Sequence, residues 1–77
     1  MTPIDRYVAG RIRQAREGCG MTLKTLSGML GIHLNQLSKH ERCIDRITSG
    51  RLYDIAIITG KPIGWFYPGG SDEERRV

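Results

Sequence analysis

Three hydrogen-bonding side chains fall close together in one short segment. The segment LNQLSKHE, residues 34–41, carries Asn35, Gln36 and Lys39 around Leu37, its one clear apolar anchor. On helical geometry Asn35 and Lys39 are four residues apart on one face, Gln36 adjoins them, and Leu37 turns away. Asparagine and glutamine can each donate to and accept from an adenine edge, and lysine can donate to guanine or a phosphate. The segment therefore fits a helix that presents a polar face to nucleic acid.

The residues before this segment predict a short helix and a turn. Thr22 is a good N-cap, and Gly31 can take the left-handed conformation that ends a helix. The apolar face between them comprises Leu23, Leu26, Met29 and Leu30. With a third helix from about Leu34 to Arg42, this is the pattern of a helix-turn-helix. In that motif the second helix enters the major groove and the first crosses the phosphate backbone.

A first helix is predicted upstream of the motif. Thr2-Pro3-Ile4-Asp5 combines a capping hydroxyl, a first-turn proline and an acid at the capping-box position. The helix should end near Glu17, before Gly18 and Gly20, and Gly10 inside it indicates close packing or a tolerated weakness. Its apolar positions at helical spacing are Ile4, Tyr7, Val8, Ile12 and Ala15.

Two further helices are predicted after a polar turn. Thr48 or Ser49 can cap a fourth helix that ends at Gly60, with Leu52, Ile55, Ala56 and Ile58 as its apolar positions. Pro62 then opens a last short helix, IGWFY, before Pro68-Gly69-Gly70. No alternating strand pattern is present. The sequence therefore predicts an all-α fold, a compact five-helix domain over residues 1–70 with a flexible charged tail at 71–77.

The charge of the chain indicates an anionic partner. Its 77 residues carry a net charge of +4, and the sequence pI is about 9.5. The last seven residues contain three acids and two bases, so the first 70 carry ten bases against five acids. Charge alone is compatible with nucleic acid and with a membrane surface.

Composition and motifs argue against several other classes of protein. No apolar run approaches the roughly 20 residues that span a bilayer, and no export signal opens the chain, so a cytoplasmic location is expected. Cys19 and Cys43 are expected as free thiols, and with His33 and His40 they lack zinc-ligand spacing, so no metal or cofactor is predicted. No acid pair, activated nucleophile or phosphate loop indicates an enzyme. Aromatic platforms for single-stranded RNA are absent from the basic region.

From Val8 to Tyr67 the chain resembles the Cro and phage-repressor-like regulators, the XRE family of helix-turn-helix proteins. VAGRIRQAREGCGMTLKTLSGMLGI is similar to the opening of that family, and HLNQLSKHE is similar to its recognition helix. RITSGRLYDIAIITGKPIGWFY resembles its closing pair of helices, in a bacterial subgroup with an aromatic ending. The resemblance implies a repressor-like DNA-binding fold.

The family likeness also implies roles for individual residues. Asn35, Gln36 and Lys39 would face DNA as the base-reading set, with Asn35 and Lys39 foremost. Arg16 and Glu41 match a structural ion pair between the first and third helices. The residues implied to contact phosphate are Thr22, Leu23, Arg42, Arg46 and Arg51. Arg46 and Arg51 also suit ordinary surface charge or capping, and Arg11 and Arg13 are expected to be surface residues.

Three residues depart from the family pattern, and one cluster has two interpretations. Leu23 replaces a common glutamine, and Cys43 replaces a common glycine that suits positive φ. His33 replaces the serine or threonine that usually caps the helix.

The aromatic residues at the end are expected to pack the last helix on the first, and they also suit a dimer surface. They are Trp65, Phe66 and Tyr67.

These observations favour a sequence-specific regulator of transcription that binds double-stranded DNA. It would be bacterial or phage-encoded, and a homodimeric repressor would place helix 3 in the major groove at each half of a two-fold-related operator. The alternative is an antitoxin or adaptor whose main partner is a protein.

Overall fold

The computed structural model describes residues 1–69, and four α-helices and one 3-10 helix lie in that range. They are α1 (Pro3–Gly18), α2 (Leu23–Leu30), α3 (Leu34–Glu41), α4 (Ser49–Thr59) and the 3-10 helix (Ile63–Phe66). The all-helical prediction is confirmed, but the fold has four α-helices rather than five. The last predicted helix is a single 3-10 turn, because Pro62 and Pro68 leave no room for a longer one. The predicted tail at 71–77 lies outside the described residues.

The predicted N-terminal capping residues form capping hydrogen bonds in the structure. Thr2 and Asp5 form the complete capping box of α1, and the side chains of Thr22 and Thr48 cap α2 and α4. Gly31, at φ 72°, ends α2 in the left-handed conformation, as predicted. These ends are set by local hydrogen bonds, which is why the sequence could locate them to within one residue.

One apolar core joins all five elements. Its largest fully buried side chains are Ile12, Leu26, Leu37, Ile55 and Phe66. Each comes from a different element, so the core fixes α3 against α1 and α2. No helix in residues 1–69 has both the length and the apolar character that crossing a bilayer requires.

Not every apolar position at helical spacing is buried. Ile4 and Tyr7 of α1 and Met29 of α2 are exposed, Met29 to 58%. Helical spacing shows which side of each helix is apolar. How many residues on that side are buried depends on how the neighbouring helices pack against it. Arg11 also differs from its prediction as a surface residue, because it is partly buried against the 3-10 helix.

Phe66 is fully buried, as expected for a residue that packs the last helix on the first, and it contributes nothing to the exposed surface. Trp65 packs edge-to-face on Phe66, with ring centroids 5.0 Å apart. Arg11 donates from Nε to the carbonyl oxygen of Trp65 at 3.0 Å, and its guanidinium lies 3.7 Å from the indole centroid. Of this aromatic cluster, Tyr67 is exposed and Trp65 is partly buried. The cluster therefore closes the core onto α1.

Candidate nucleic-acid interface

The turn between α2 and α3 is rigidly hydrogen-bonded. The backbone N–H of Gly31 donates to Gly28 at 3.2 Å, and that of Ile32 donates to the carbonyl oxygen of Ser27 at 3.0 Å. The ring Nδ1 of His33 then accepts from the backbone N–H of Asn35 at 3.1 Å, so His33 caps α3 in place of a hydroxyl. The proton of the neutral ring must consequently be on Nε2. These contacts set the direction in which α3 leaves the turn.

The two faces of α3 differ sharply in burial. Leu37 is fully buried and His40 is 4% exposed, whereas Asn35 and Lys39 are exposed. Among the described residues, the side chains of Asn35 and Lys39 have no hydrogen-bond or ion-pair partner. The structure thus brings the two residues together on a solvent-facing surface with their polar atoms free.

Gln36 is arranged differently from the other two residues in the predicted base-reading set. Its side chain is partly buried, and its amide nitrogen Nε2 donates to Asp45 Oδ2 at 3.1 Å. The same nitrogen lies 3.3 Å from Nε2 of His40. The sequence reasoning missed this pairing, although Gln36 and His40 are four residues apart on a helix, a spacing at which side chains meet.

Arg16 and Glu41 form a two-pronged ion pair between α1 and the end of α3. Arg16 donates from Nε to Glu41 Oε2 at 2.7 Å and from Nη2 to Oε1 at 3.0 Å. Its Nη1 donates to the carbonyl oxygen of Met21 at 2.9 Å, in the turn before α2. The hydrogen bonds to Glu41 raise the pKa of Arg16 above its usual value. One guanidinium therefore connects three parts of the domain that hold α3 in place.

The chain turns sharply after α3 at Cys43. Cys43 has φ 59°, the one positive φ of a non-glycine residue in the described chain. The N–H of Ile44 donates to the carbonyl oxygen of Lys39 at 2.8 Å, which closes the helix end. Cys43 therefore makes the left-handed turn that the usual glycine would make. Its Cβ is unfavourable in this backbone conformation.

The residues implied to contact phosphate lie on α2 and around the loop after α3. Thr22 Oγ1 accepts from the N–H of Thr25 at 3.0 Å. The N–H of Leu23 has no acceptor inside the helix, because Leu23 is the first residue of α2. Such free N–H groups at a helix start favour an anion. Lys24, exposed in the same turn, is a further candidate that the sequence analysis did not single out.

The three arginines of the loop region differ in how they are held. Arg42 donates from Nε to Ser38 Oγ at 3.2 Å, and Arg46 lies 3.5 Å from Asp5 Oδ2 with its side chain 66% exposed. The guanidinium of Arg51 has no partner among residues 1–69, although its backbone N–H donates to Thr48. All three guanidinium groups can consequently turn to an external phosphate at little cost.

No cluster of three or more potential metal ligands occurs in residues 1–69. His33 caps α3, and His40 lies in hydrogen-bond contact with Gln36, as described above.

The comparisons with known proteins agree with this geometry. A helix-turn-helix family model matches residues 12–66. A transcriptional regulator from the ATPase CF(0) region of Rhodospirillum rubrum is 39% identical over 72 residues, which are 94% of this chain and 64% of that protein.

Two other relatives are named as helix-turn-helix transcriptional regulators. One, from Sinorhizobium medicae, is 37% identical over 84% of this chain and 47% of its own length. The other, from Rickettsia conorii, is 32% identical over 86% of this chain and 53% of its own length. The chain thus spans about half to two thirds of the length of these relatives, and no solved structure matches it. On the family match and the geometry of its α2–turn–α3 unit, the chain belongs to the XRE-type helix-turn-helix family.

Proposed function

We propose that the protein is a sequence-specific, double-stranded DNA-binding regulator of transcription. In this proposal α3 lies in the major groove, with Asn35 and Lys39 as its principal base readers. The observation that supports it best is the contrast within α3. Leu37 and Glu41 lock the helix to the body of the domain, whereas Asn35 and Lys39 are exposed with free polar atoms.

Contacts to the DNA backbone would set the register of the protein on its site. The free amide of Leu23 at the start of α2 suits one phosphate, and Arg42, Arg46 and Arg51 suit the strand beside the loop. Ten bases against five acids in the first 70 residues give the attraction a non-specific component. Affinity is therefore expected to fall steeply as salt rises.

The protein is further proposed to act as a homodimeric repressor in the bacterial cytoplasm. A two-fold dimer would place two α3 helices on half-sites about one turn, roughly 34 Å, apart. The operator would then read as an inverted repeat.

Selection of bound fragments from a randomised duplex pool tests this function. The wild-type protein should enrich an inverted repeat, and an Asn35→Ala, Lys39→Ala double variant should not. Asn35→Ala alone should cost about 1–3 kcal/mol on the selected site and relax specificity at one position. Arg13→Ala, which removes an exposed charge from α1, is the control and should keep the same site.

Two results would contradict the proposal. Equal loss of binding on all sequences would remove Asn35 from base reading. If nothing is enriched and binding stays sensitive to salt, the basic surface is only an electrostatic footprint, and a protein partner becomes the better explanation of the domain.

A further inference from the structure

The side chain of Gln36 is held by two groups that are outside the proposed set of base readers. Its Nε2 lies 3.1 Å from Oδ2 of Asp45 and 3.3 Å from Nε2 of His40. His40 is 4% exposed, and its Nδ1 lies 3.1 Å from the backbone carbonyl oxygen of Asp45. The three residues thus form a closed network between α3 and the loop after it.

The chemistry of Asp45 determines the direction of every hydrogen bond in this network. Its backbone carbonyl oxygen can only accept, so Nδ1 of His40 carries the proton and donates to it. In the neutral ring Nε2 is then an acceptor, and Gln36 must donate to it. The ionised carboxylate of Asp45 is also an acceptor only, so it too requires the NH2 end of Gln36. Two independent acceptors therefore select the same orientation of the amide.

This orientation uses both N–H groups of Gln36 inside the protein. The atom left for an external partner is the carbonyl oxygen Oε1, which has no hydrogen bond among residues 1–69. A glutamine that is free to rotate reads adenine with two bonds, one from its amide to N7 and one from the N6 amine to its oxygen. Gln36 can offer only the second of these bonds while the network is intact.

We propose that His40 and Asp45 are positioning residues that make Gln36 an acceptor-only reader, selecting a base with an exocyclic amine. On the strand that Gln36 faces, that base is adenine or cytosine, because guanine and thymine present only acceptors or a methyl group at the corresponding edge. This inference rests on the proposed DNA-binding function. It adds a specificity element that differs from Asn35, whose side-chain amide is free to turn.

The first experiment compares the sites selected from a randomised duplex pool by the wild-type protein and by Gln36→Met. The substitution keeps a side chain of similar length and removes its hydrogen bonds, so one base position should lose its preference. That base should be adenine or cytosine. Guanine or thymine there, or no change at any position, would overturn the inference while leaving the proposed function standing.

Base analogues then test which atom of the selected base is read. Replacing a selected adenine by purine, or a selected cytosine by 2-pyrimidinone, removes the amine and should weaken wild-type binding about tenfold. Replacing adenine by 7-deazaadenine removes N7 and should change binding by less than about twofold, because Gln36 has no N–H left for N7. Equal sensitivity to both analogues would show a freely rotating amide and refute the inference.

A double variant, His40→Leu with Asp45→Ala, provides the matched comparison. It frees the Gln36 amide, so sensitivity to 7-deazaadenine should appear where the wild type has none. A purely structural role for the network would weaken binding to every duplex alike and would not create this new sensitivity.

Hydrogen exchange of side-chain amides in the free protein supplies a measurement that needs neither DNA nor a variant. The two Nε2 protons of Gln36 should exchange more slowly than the Nδ2 protons of Asn35, which is exposed. Equal exchange would overturn the inference directly. Slow exchange combined with no enriched duplex would instead show that the proposed function is wrong, and the inferred specificity with it.

Discussion

Arg16 of α1 and Glu41 of α3 face each other in a bidentate ion pair, with N···O distances of 2.7 and 3.0 Å. The two side chains are only 10% and 6% exposed. Glu41 is the last residue of α3 and lies within about one helical turn of Lys39. The Arg16–Glu41 pair therefore fixes the end of the helix that carries the proposed base readers. Stability and orientation of α3 therefore depend on the same contact.

Removing one partner of this pair should be costly. Glu41→Ala leaves the buried guanidinium of Arg16 without its anion, and we expect the free energy of unfolding to fall by about 3–5 kcal/mol in denaturant titrations. Arg16→Met combined with Glu41→Leu should restore most of it, because no charge stays buried. Glu17→Ala is the control, since Glu17 is exposed and 3.8 Å from Arg16. A Glu41→Ala protein as stable as the control would contradict the assignment.

The backbone at Cys43 predicts a stabilising substitution. At φ 59° a side chain is strained, and glycine is not, so Cys43→Gly should raise the free energy of unfolding by about 1 kcal/mol. Cys43→Ser is the matched comparison because it retains a Cβ and therefore the strain. Thermal and denaturant unfolding of the wild type and the two variants measures this difference in stability. Equal stability of the glycine and serine variants would contradict the strain at Cys43.

Two glycines of the domain should respond oppositely to alanine. A Cβ at Gly10, inside α1, would meet nothing within 4 Å, so Gly10→Ala should stabilise the protein by about 0.5–1 kcal/mol. Gly31 has the same open surroundings but φ 72°, so Gly31→Ala should destabilise it by roughly 1–2 kcal/mol. Unfolding free energies that change in the same direction for both would show that conformation is not the deciding factor.

The fold was predictable where local chemistry sets it and less so where distant contacts do. Thr22 and Gly31 bound α2 through their own hydrogen bonds and backbone angle, so the sequence located them. The contact of Arg11 with Trp65 joins residues 54 positions apart, and nothing local signals it. At the candidate site, the polar pattern predicted that Asn35 and Lys39 share a solvent-facing side of α3, and both are exposed. The hydrogen bonds of Gln36 could not be predicted in this way, because they depend on where the loop after α3 places Asp45.

The capping box of α1 should respond to acid. The backbone N–H and hydroxyl of Thr2 donate to Asp5 Oδ2 at 2.8 and 3.0 Å, and they hold the pKa of Asp5 below its usual value. The pKa of Asp5 is lower in the folded protein than in the unfolded chain, so the capping box stabilises the fold above the usual aspartate pKa. This contribution is lost as the pH falls through the pKa that Asp5 has in the folded protein. The start of α1 should therefore loosen at a pH below the usual pKa of aspartate.

Nuclear magnetic resonance can follow this titration through the backbone N–H of Thr2. Its chemical shift should change with a midpoint below that of an aspartate in an unstructured peptide, and in Asp5→Asn the change should disappear. A midpoint at or above the peptide value would mean that the capping box does not form as described.

Arg46, in the loop after α3, and Arg51, in the first turn of α4, are proposed to bind phosphate and should then determine how steeply DNA affinity depends on salt. Removing one arginine that binds a phosphate lowers the slope of log affinity against log salt by about one. If Arg51 binds phosphate in the proposed dimer, Arg51→Ala should therefore reduce the slope by about two, one for each subunit, while affinity falls about equally on all sequences. Arg46→Ala should act in the same way, because its 3.5 Å contact with Asp5 is largely exposed and screened by solvent.

Arg13 supplies the matched control for these loop variants, because Arg13→Ala removes the same charge from a different surface. Arg13 lies on α1, where it pairs with Glu17 at 3.0 Å, so its replacement should leave the slope unchanged. Binding curves at several salt concentrations, on one duplex, separate the three variants. If all of them shift the slope equally, overall charge governs binding, and the loop beside α3 has no particular role at the DNA backbone.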